Sequence, residues 1–247
     1  MVVHEANARP GLANRVGARL GATVATAGAS RLKGAIQVGM PLRRSISDFD
    51  RVAQRPAALQ RWGFEPDGPV LLVTGGSQGA RRINTALLGA LPHLLDRGAR
   101  ILHVTGRANL DAVRSAAAAH AVPLDGGYRS VGYVEDMADA YAAADLVLCR
   151  SGMMTVAEVT TVGLPAVFVP LPIGNGEQRL NALPVVGAGG ALMIDDANLS
   201  TERLIQEIEP LLFDPDRLSV MGNAAATLGR RDADVRLARL ILEAVNR

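Results

Sequence analysis

Residues Leu71 to Asn84 read LLVTGGSQGARRIN. The apolar run up to Thr74 predicts a strand, Gly75-Gly76 a turn, and Arg81 onward a helix. A turn at the carboxyl end of a parallel strand that leads into a helix is where open α/β sheets take their ligands. Gly75 and Gly76 permit positive φ and close backbone approach. The free amides around Ser77 to Ala80 are expected to point at an anion, assisted by the helix dipole. No Gly-Lys-Ser/Thr follows, so a Walker loop is excluded, and the pattern is not GxGxxG, which argues against a plain nicotinamide site. Ser77 and Gln78 offer neutral donors to a diphosphate. The same residues also suit a turn that needs glycine for geometry alone.

Working outward, short apolar runs alternate with helical patterns. The expected strands are 70–74, 100–104, 130–134, 146–149, 166–169 and 191–194, with helices near 81–95, 109–119, 136–143, 154–162 and 177–188. This alternation predicts βαβ units, hence an α/β fold with a parallel sheet and helices on both faces. The strands are continuous apolar runs, as expected when both faces are covered. Three further helices are expected at 201–212, 215–228 and 232–245. The first 40 residues offer a strand stub, a helix near 12–20 and two short strands, too little to bury a core of their own.

Composition narrows the function classes. An apolar fraction of 49 % supports a core, and the formal charge of +2 is nearly neutral. Lys33 is the only lysine, so the basic residues are almost all arginine. No basic run is interleaved with aromatics, so nucleic-acid binding is not expected. A lone cysteine, Cys149, excludes an internal disulfide framework, fits a reducing compartment, and reads as a small buried hydrophobe. His4, His93, His103 and His120 have no metal-ligand spacing. No apolar window approaches the length of a membrane span, and the N-terminus lacks the regions of a signal peptide.

Three other stretches carry polar groups at positions suited to a ligand. In CRSGMMTVAEVTTVGLP, Cys149 to Pro165, a second strand ends at a glycine turn, with Ser151 as the expected N-cap. Met154, Thr155 and Glu158 share a helix face, and a carboxylate placed like Glu158 can accept both hydroxyls of a ribose. Standing alone, Glu158 would also fit a solvated surface. In PLPIGNGEQRLNALP, Gln178 and Asn181 share a face whose amides suit sugar hydroxyls, or simply cap a helix start. In VGMPLRRSI, Arg43 or Arg44 follows a turn and suits a bidentate phosphate contact, or an exposed surface position.

Taken together, HEANARPGLANR, VGMPLRRSI, GGSQGARRIN, VGYVEDMADAYAAADLVLCRSGMMTVAE, GLPAVFVPLP and GEQRLNALP resemble the bacterial peptidoglycan N-acetylglucosamine transferases that act on lipid I. The resemblance covers nearly the whole chain. It implies a two-domain GT-B glycosyltransferase with Rossmann-like parallel sheets, of which residues 41–230 would be the UDP-sugar donor-binding domain. Residues 1–40 would be the tail of the acceptor-binding N-terminal domain, and 231–247 a helix returning to it. The implied reaction is inverting transfer of GlcNAc from UDP-GlcNAc to the lipid-linked acceptor, lipid I, giving lipid II, with no metal or other cofactor. The implied place is the cytoplasmic face of the cell membrane, by peripheral contact.

By the same resemblance, Asn7, Arg43, Ser77, Gln78, Val134, Met153, Met154, Thr155, Glu158, Gln178 and Asn181 would bind the donor. Val134 would meet the uracil, Glu158 the ribose, and the Ser77 loop the phosphate region. Two departures stand out. The glycine-rich N-terminal half of the family, with the histidine expected as general base, is represented here only by its tail, and His4 is not that histidine by motif. The chain alone is therefore expected to be inactive, whether truncated or read from a late start. Met153 stands where the family commonly has alanine, which would narrow the pocket. The alternatives kept open are a non-catalytic UDP-sugar-binding fragment and a transferase for another nucleotide sugar.

Overall fold

The computed structural model describes residues 1–30, 32–76, 79–120 and 127–245. The chain opens with β1 (Val2–Glu5), α1 (Leu12–Arg19), β2 (Thr23–Thr26) and β3 (Ile36–Gln37). These strands form a small parallel sheet in the order β1-β2-β3, with Val3 opposite Val24 and Ala25 opposite Ile36. Two helices follow, α2 (Arg44–Ser47) and α3 (Arg51–Trp62). Helix α3 was not among the expected elements. Its register is set at the ends, where Asp50 accepts from the Ala53 N–H at 3.1 Å and Gly63 closes it with φ of 65°. Pro56 in its middle and only Ala58 and Leu59 buried leave little periodic signal.

The large sheet is built from β4 (Val70–Thr74), β5 (Arg100–Val104), β6 (Tyr128–Val131), β7 (Leu146–Cys149), β8 (Ala166–Phe168) and β9 (Ala191–Met193). Between these strands run α4 (Arg81–Asp96), α5 (Leu110–Ala119), α6 (Met137–Ala143), α7 (Met153–Val162) and α8 (Glu177–Gly187); α9 (Thr201–Leu212), α10 (Pro215–Ala226) and α11 (Ala233–Val245) complete the chain. All neighbouring strands are parallel, in the order β6-β5-β4-β7-β8-β9. The chain therefore winds outward from β4 in one direction and resumes at β7 in the other. The switch point between β4 and β7 is the place where such sheets open a crevice beyond the strand carboxyl ends.

Side-chain alternation splits the core into two layers. Leu71, Val73, Ile101, Leu146 and Leu148 pack with α4, α9 and α10. Val70, Leu72, Leu102, Val147 and Cys149 pack with α3, α6 and α7 on the other face. Both layers exclude water, which is why β4, β7 and β8 read as apolar runs, while β5 carries the buried His103. Strand β6 covers residues 128–131 rather than the expected 130–134. Its partner β5 ends at Val104 opposite Val131, and the Thr105 N–H takes the last carbonyl, that of Val131, at 2.9 Å. The chain then leaves the sheet at Gly132, where a Cβ would lie 3.2 Å from the Arg107 Cα. Helix α11 lies on the small sheet, with Leu240 packed against Ala25 and Val38.

Candidate functional site

Two glycine turns leave the sheet side by side at the switch point, one after β4 and one after β7. Their glycines do different jobs. Gly76 adopts φ of 83°, the left-handed region that side chains avoid. Gly75 is required for proximity, since a Cβ there would sit 2.3 Å from the Ala80 nitrogen. Gly79 needs both, with φ of 72° and a would-be Cβ 2.1 Å from the Thr105 oxygen. The turn uses some of its own amides: Gly79 N–H donates to Gly76 O at 2.9 Å, and Gly76 N–H to Thr74 Oγ1 at 3.2 Å. The expected row of free amides is therefore shorter than 77–80. Ser77 and Gln78 lie outside the described residues.

Beside this turn is a cavity of about 380 Å³ lined by Pro41, Arg43, Thr74, Gly76, Val104, Val134, Tyr141, Met154, Thr155 and Glu158, among others. It brings together five of the expected site residues, Arg43, Val134, Met154, Thr155 and Glu158, drawn from three separate segments. A larger cavity, about 990 Å³, opens near Gly68, Pro69 and Asp145, at the amino ends of β4 and β7, whereas both glycine turns lie at their carboxyl ends. The arginines there serve the fold: Arg51 and Arg55 donate to Ala144 O and Ala143 O at 2.6 Å each, and Arg55 also pairs with Asp145 at 2.7 Å. The chemistry of the smaller cavity, rather than size, marks the site.

Glu158 is the ionisable centre of that cavity. It sits in the second turn of α7, and the Tyr141 hydroxyl donates to its Oε2 at 2.8 Å. Burial raises the Glu158 pKa above the ordinary carboxylate value, while the Tyr141 hydrogen bond and the Arg43 charge pull it down and Asp136 pushes it up. The same burial raises Tyr141 well above the usual phenol value, so it stays protonated as a donor. Arg43 Nη1 donates to Glu135 O at 3.2 Å, which holds the guanidinium on the rim. Asp136 caps α6 through the Ala138 N–H at 3.1 Å and accepts from Ser45 Oγ at 3.2 Å. Val134, 9 % exposed, supplies an apolar wall, and Met154 lies open at 44 %. The crevice thus offers an apolar slot, a carboxylate acceptor and a cation next to a helix N-terminus.

Met153 is the first residue of α7, and the N-cap is Gly152 rather than the expected Ser151. Ser151 is fully buried, and its hydroxyl donates to Gln178 O at 2.9 Å, so it ties the second turn to α8. Asn7, Gln178 and Asn181 form a separate cluster beside it. Asn181 Oδ1 accepts from the Ala8 N–H at 3.0 Å, and Nδ2 donates to Asn7 Oδ1 at 3.2 Å and Ser151 O at 3.4 Å. Gln178 Oε1 accepts from the Leu171 N–H at 3.0 Å. Glu5, not among the expected residues, organises the facing loop. Its carboxylate, 3 % exposed, accepts from Asn7 N, Gly11 N and Asn14 Nδ2 at 2.8–2.9 Å. Tyr141 was also missed; the signal was a lone aromatic in the alanine-rich MADAYAA.

The chain is similar to known proteins in sequence and fold. Residues 70–237 match the glycosyltransferase family 28 C-terminal domain. The UDP-N-acetylglucosamine–N-acetylmuramyl-(pentapeptide) pyrophosphoryl-undecaprenol N-acetylglucosamine transferase of Streptomyces coelicolor is 53 % identical over 246 residues, covering 99 % of this chain and 66 % of that protein. The protein of the same name from Paenarthrobacter aurescens is 53 % identical over 247 residues, covering 100 % of this chain and 65 % of its own. The chain thus spans just under two thirds of the length of these curated relatives. The crystal structure of Acinetobacter baumannii MurG is similar at a TM-score of 0.79 and 29 % identity, over 98 % of this chain and 66 % of that one. A Staphylococcus aureus MnaA–UDP complex, 12 % identical with a TM-score of 0.67 over 99 % of this chain and 75 % of its own, shares the fold. With its parallel sheet wound about the β4–β7 switch point, the chain belongs to glycosyltransferase family 28, whose C-terminal domain it carries.

Proposed function

We propose that this chain is the donor-binding part of a transferase that moves GlcNAc from UDP-GlcNAc to lipid I, giving lipid II in peptidoglycan synthesis. The observation that supports it most is Glu158, a half-buried carboxylate locked by Tyr141 at the switch point, one face of the cavity away from Arg43 and the glycine turn. In this reading Glu158 accepts the ribose hydroxyls, Val134 packs on the uracil, and Met154 and Thr155 line the nucleotide. The 75–80 turn with Ser77 and Gln78 meets the diphosphate. Arg43 and the N-terminus of α4 stabilise negative charge on the leaving group. Asn7, Met153, Gln178 and Asn181 would frame the sugar end. Residues 41–230 form the donor domain, with 1–40 and 231–247 belonging to the acceptor side.

The reaction would be a single displacement. The acceptor's C4 hydroxyl oxygen bonds to the anomeric carbon, the bond to the diphosphate oxygen breaks with inversion, and UDP leaves. The hydroxyl proton passes to a general base that such enzymes carry in the N-terminal half. Peripheral contact with the cytoplasmic face of the membrane is part of the proposal. Helix α1 exposes Leu12 at 74 %, Val16 at 45 % and Leu20 lies beyond its end at 75 %, with Arg15 and Arg19 alongside. Among the described residues no helix is long and apolar enough to cross a membrane.

Calorimetric titration of the purified chain with UDP-GlcNAc tests the reading, with UDP-glucose and NAD as controls. Saturable binding selective for UDP-GlcNAc is expected. No binding by the folded chain would count against it, and equal binding of UDP-glucose would favour a transferase for another sugar.

A further inference from the structure

We infer that His103, in the interior of the sheet, is a positioning residue for the glycine turn that receives the diphosphate; the inference rests on the donor-site reading above. His103 has no exposed surface and stands on β5 among Ile101, Leu102 and Val104. A branched apolar side chain would fill that place without desolvating two ring nitrogens. Both nitrogens are instead engaged. The Tyr128 hydroxyl lies 2.9 Å from Nδ1, and Asn84 Oδ1 lies 3.0 Å from Nε2.

The direction of these bonds follows from their far end. Asn84 Nδ2 donates to the Thr105 carbonyl at 3.0 Å, and a carbonyl only accepts. Asn84 therefore turns its oxygen to His103, so Nε2 carries the proton and Nδ1 accepts from Tyr128. Burial lowers the His103 pKa to about 3, so the ring stays neutral and this order of donors holds at any working pH.

The chain of bonds ends where the turn rests. Gly79 packs directly on the Thr105 oxygen, and Asn109 Nδ2 donates to the same oxygen at 3.1 Å. Asn84 also closes the first turn of α4, its N–H donating to Ala80 O at 2.9 Å. The Asn84 side chain thus holds the carbonyl under Gly79 from within the first turn of the helix that follows. His103, donating from Nε2 to Asn84 Oδ1, holds that side chain in the facing the Thr105 carbonyl requires. Asn84 is the last residue of the stretch LLVTGGSQGARRIN and is 4 % exposed.

The test uses the full chain. The Kd for UDP and for uridine is measured by calorimetric titration on the wild type, His103→Leu and Asn84→Asp, with thermal melts to show each is folded. Asn84→Asp keeps an acceptor toward His103 and removes the donor toward Thr105, so it decides the matter should His103→Leu not fold. UDP affinity is expected to fall about tenfold in both variants, the loss of about one good hydrogen bond to the diphosphate, with uridine affinity nearly unchanged. UDP affinity unchanged in a folded variant, or UDP and uridine falling in parallel, would overturn the inference. A wild type that binds neither ligand removes the donor reading and the inference with it. A wild type that binds both, with variants that keep the ratio, removes the inference alone.

Discussion

The Tyr141 hydroxyl donates to Glu158 Oε2 at 2.8 Å, joining α6 to α7 across the floor of the switch-point cavity. One oxygen of the carboxylate is thereby taken and the rotamer set. The pair couples binding to pH. Burial raises the Glu158 pKa, and the Tyr141 bond lowers it. Tyr141→Phe removes the lowering contribution, so ionisation moves to higher pH. An ionised Glu158 is the better acceptor for ribose hydroxyls, so the acid limb of UDP binding should shift upward in pH. At neutral pH the affinity should fall about three- to tenfold. Titrations with UDP across a pH series check this; an unmoved acid limb would count against the assigned role.

Glu158→Gln separates binding from stability. A carboxyl whose folded pKa is raised above its unfolded value binds protons better when folded, so its ionisation costs stability as pH rises through that window. Glutamine removes this cost and still accepts from Tyr141. The variant should melt no lower than the wild type at pH 7 and should lose the Glu158 contribution to the pH dependence of its midpoint, while binding UDP at least about tenfold more weakly. A lower melting temperature together with intact UDP binding would mean that Glu158 is structural.

Gly76 and Gly79 should respond differently to alanine. Both have positive φ, but among the described residues a Cβ at Gly76 meets nothing within 4 Å, whereas at Gly79 it meets the Thr105 oxygen at 2.1 Å. Gly76→Ala should cost about 1–2 kcal/mol from backbone strain alone. Gly79→Ala adds a clash that must move the turn or β5, and should cost about 3 kcal/mol or more. Urea unfolding of the two variants measures the difference. Equal costs would mean that the turn relaxes away from Thr105.

Asn181 is 2 % exposed and joins three segments, through Asn7, Ala8 and Ser151. Asn181→Ala leaves the Ala8 N–H and the Asn7 side chain without their partner. A loss of about 1–3 kcal/mol is expected, concentrated in the 6–11 loop. Amide hydrogen exchange should rise at Ala8 first, with the β4–β7 core unchanged. Uniform loss of protection would place Asn181 in the global core instead.

The large sheet was legible because its signal is local. Val70–Thr74, Arg100–Val104 and Leu146–Cys149 are short apolar runs bounded by turn residues, and each was expected with the bounds it has. Helix α3 was not legible. It is positioned by Arg51 and Arg55 reaching the carbonyl end of α6, contacts some 90 residues away in sequence that leave no periodic mark. The end of β6 was also illegible, because a strand stops where its partner stops, and the partner here is Val104.

The sequence by itself determined the parallel α/β class, the two glycine turns and the carboxylate of Glu158, since glycine tolerance and side-chain chemistry belong to single residues and their near neighbours. Only the tertiary structure decided which polar groups are spent within the fold. It turned Ser151 from a helix cap into a tie to Gln178, and joined Asn181 to Asn7. It also gave Glu158 its donor in Tyr141 and placed His103 behind the first turn. The physical reason is that a buried polar atom must find a partner within hydrogen-bond reach, and reach is set by how the layers stack, which no local stretch of sequence records.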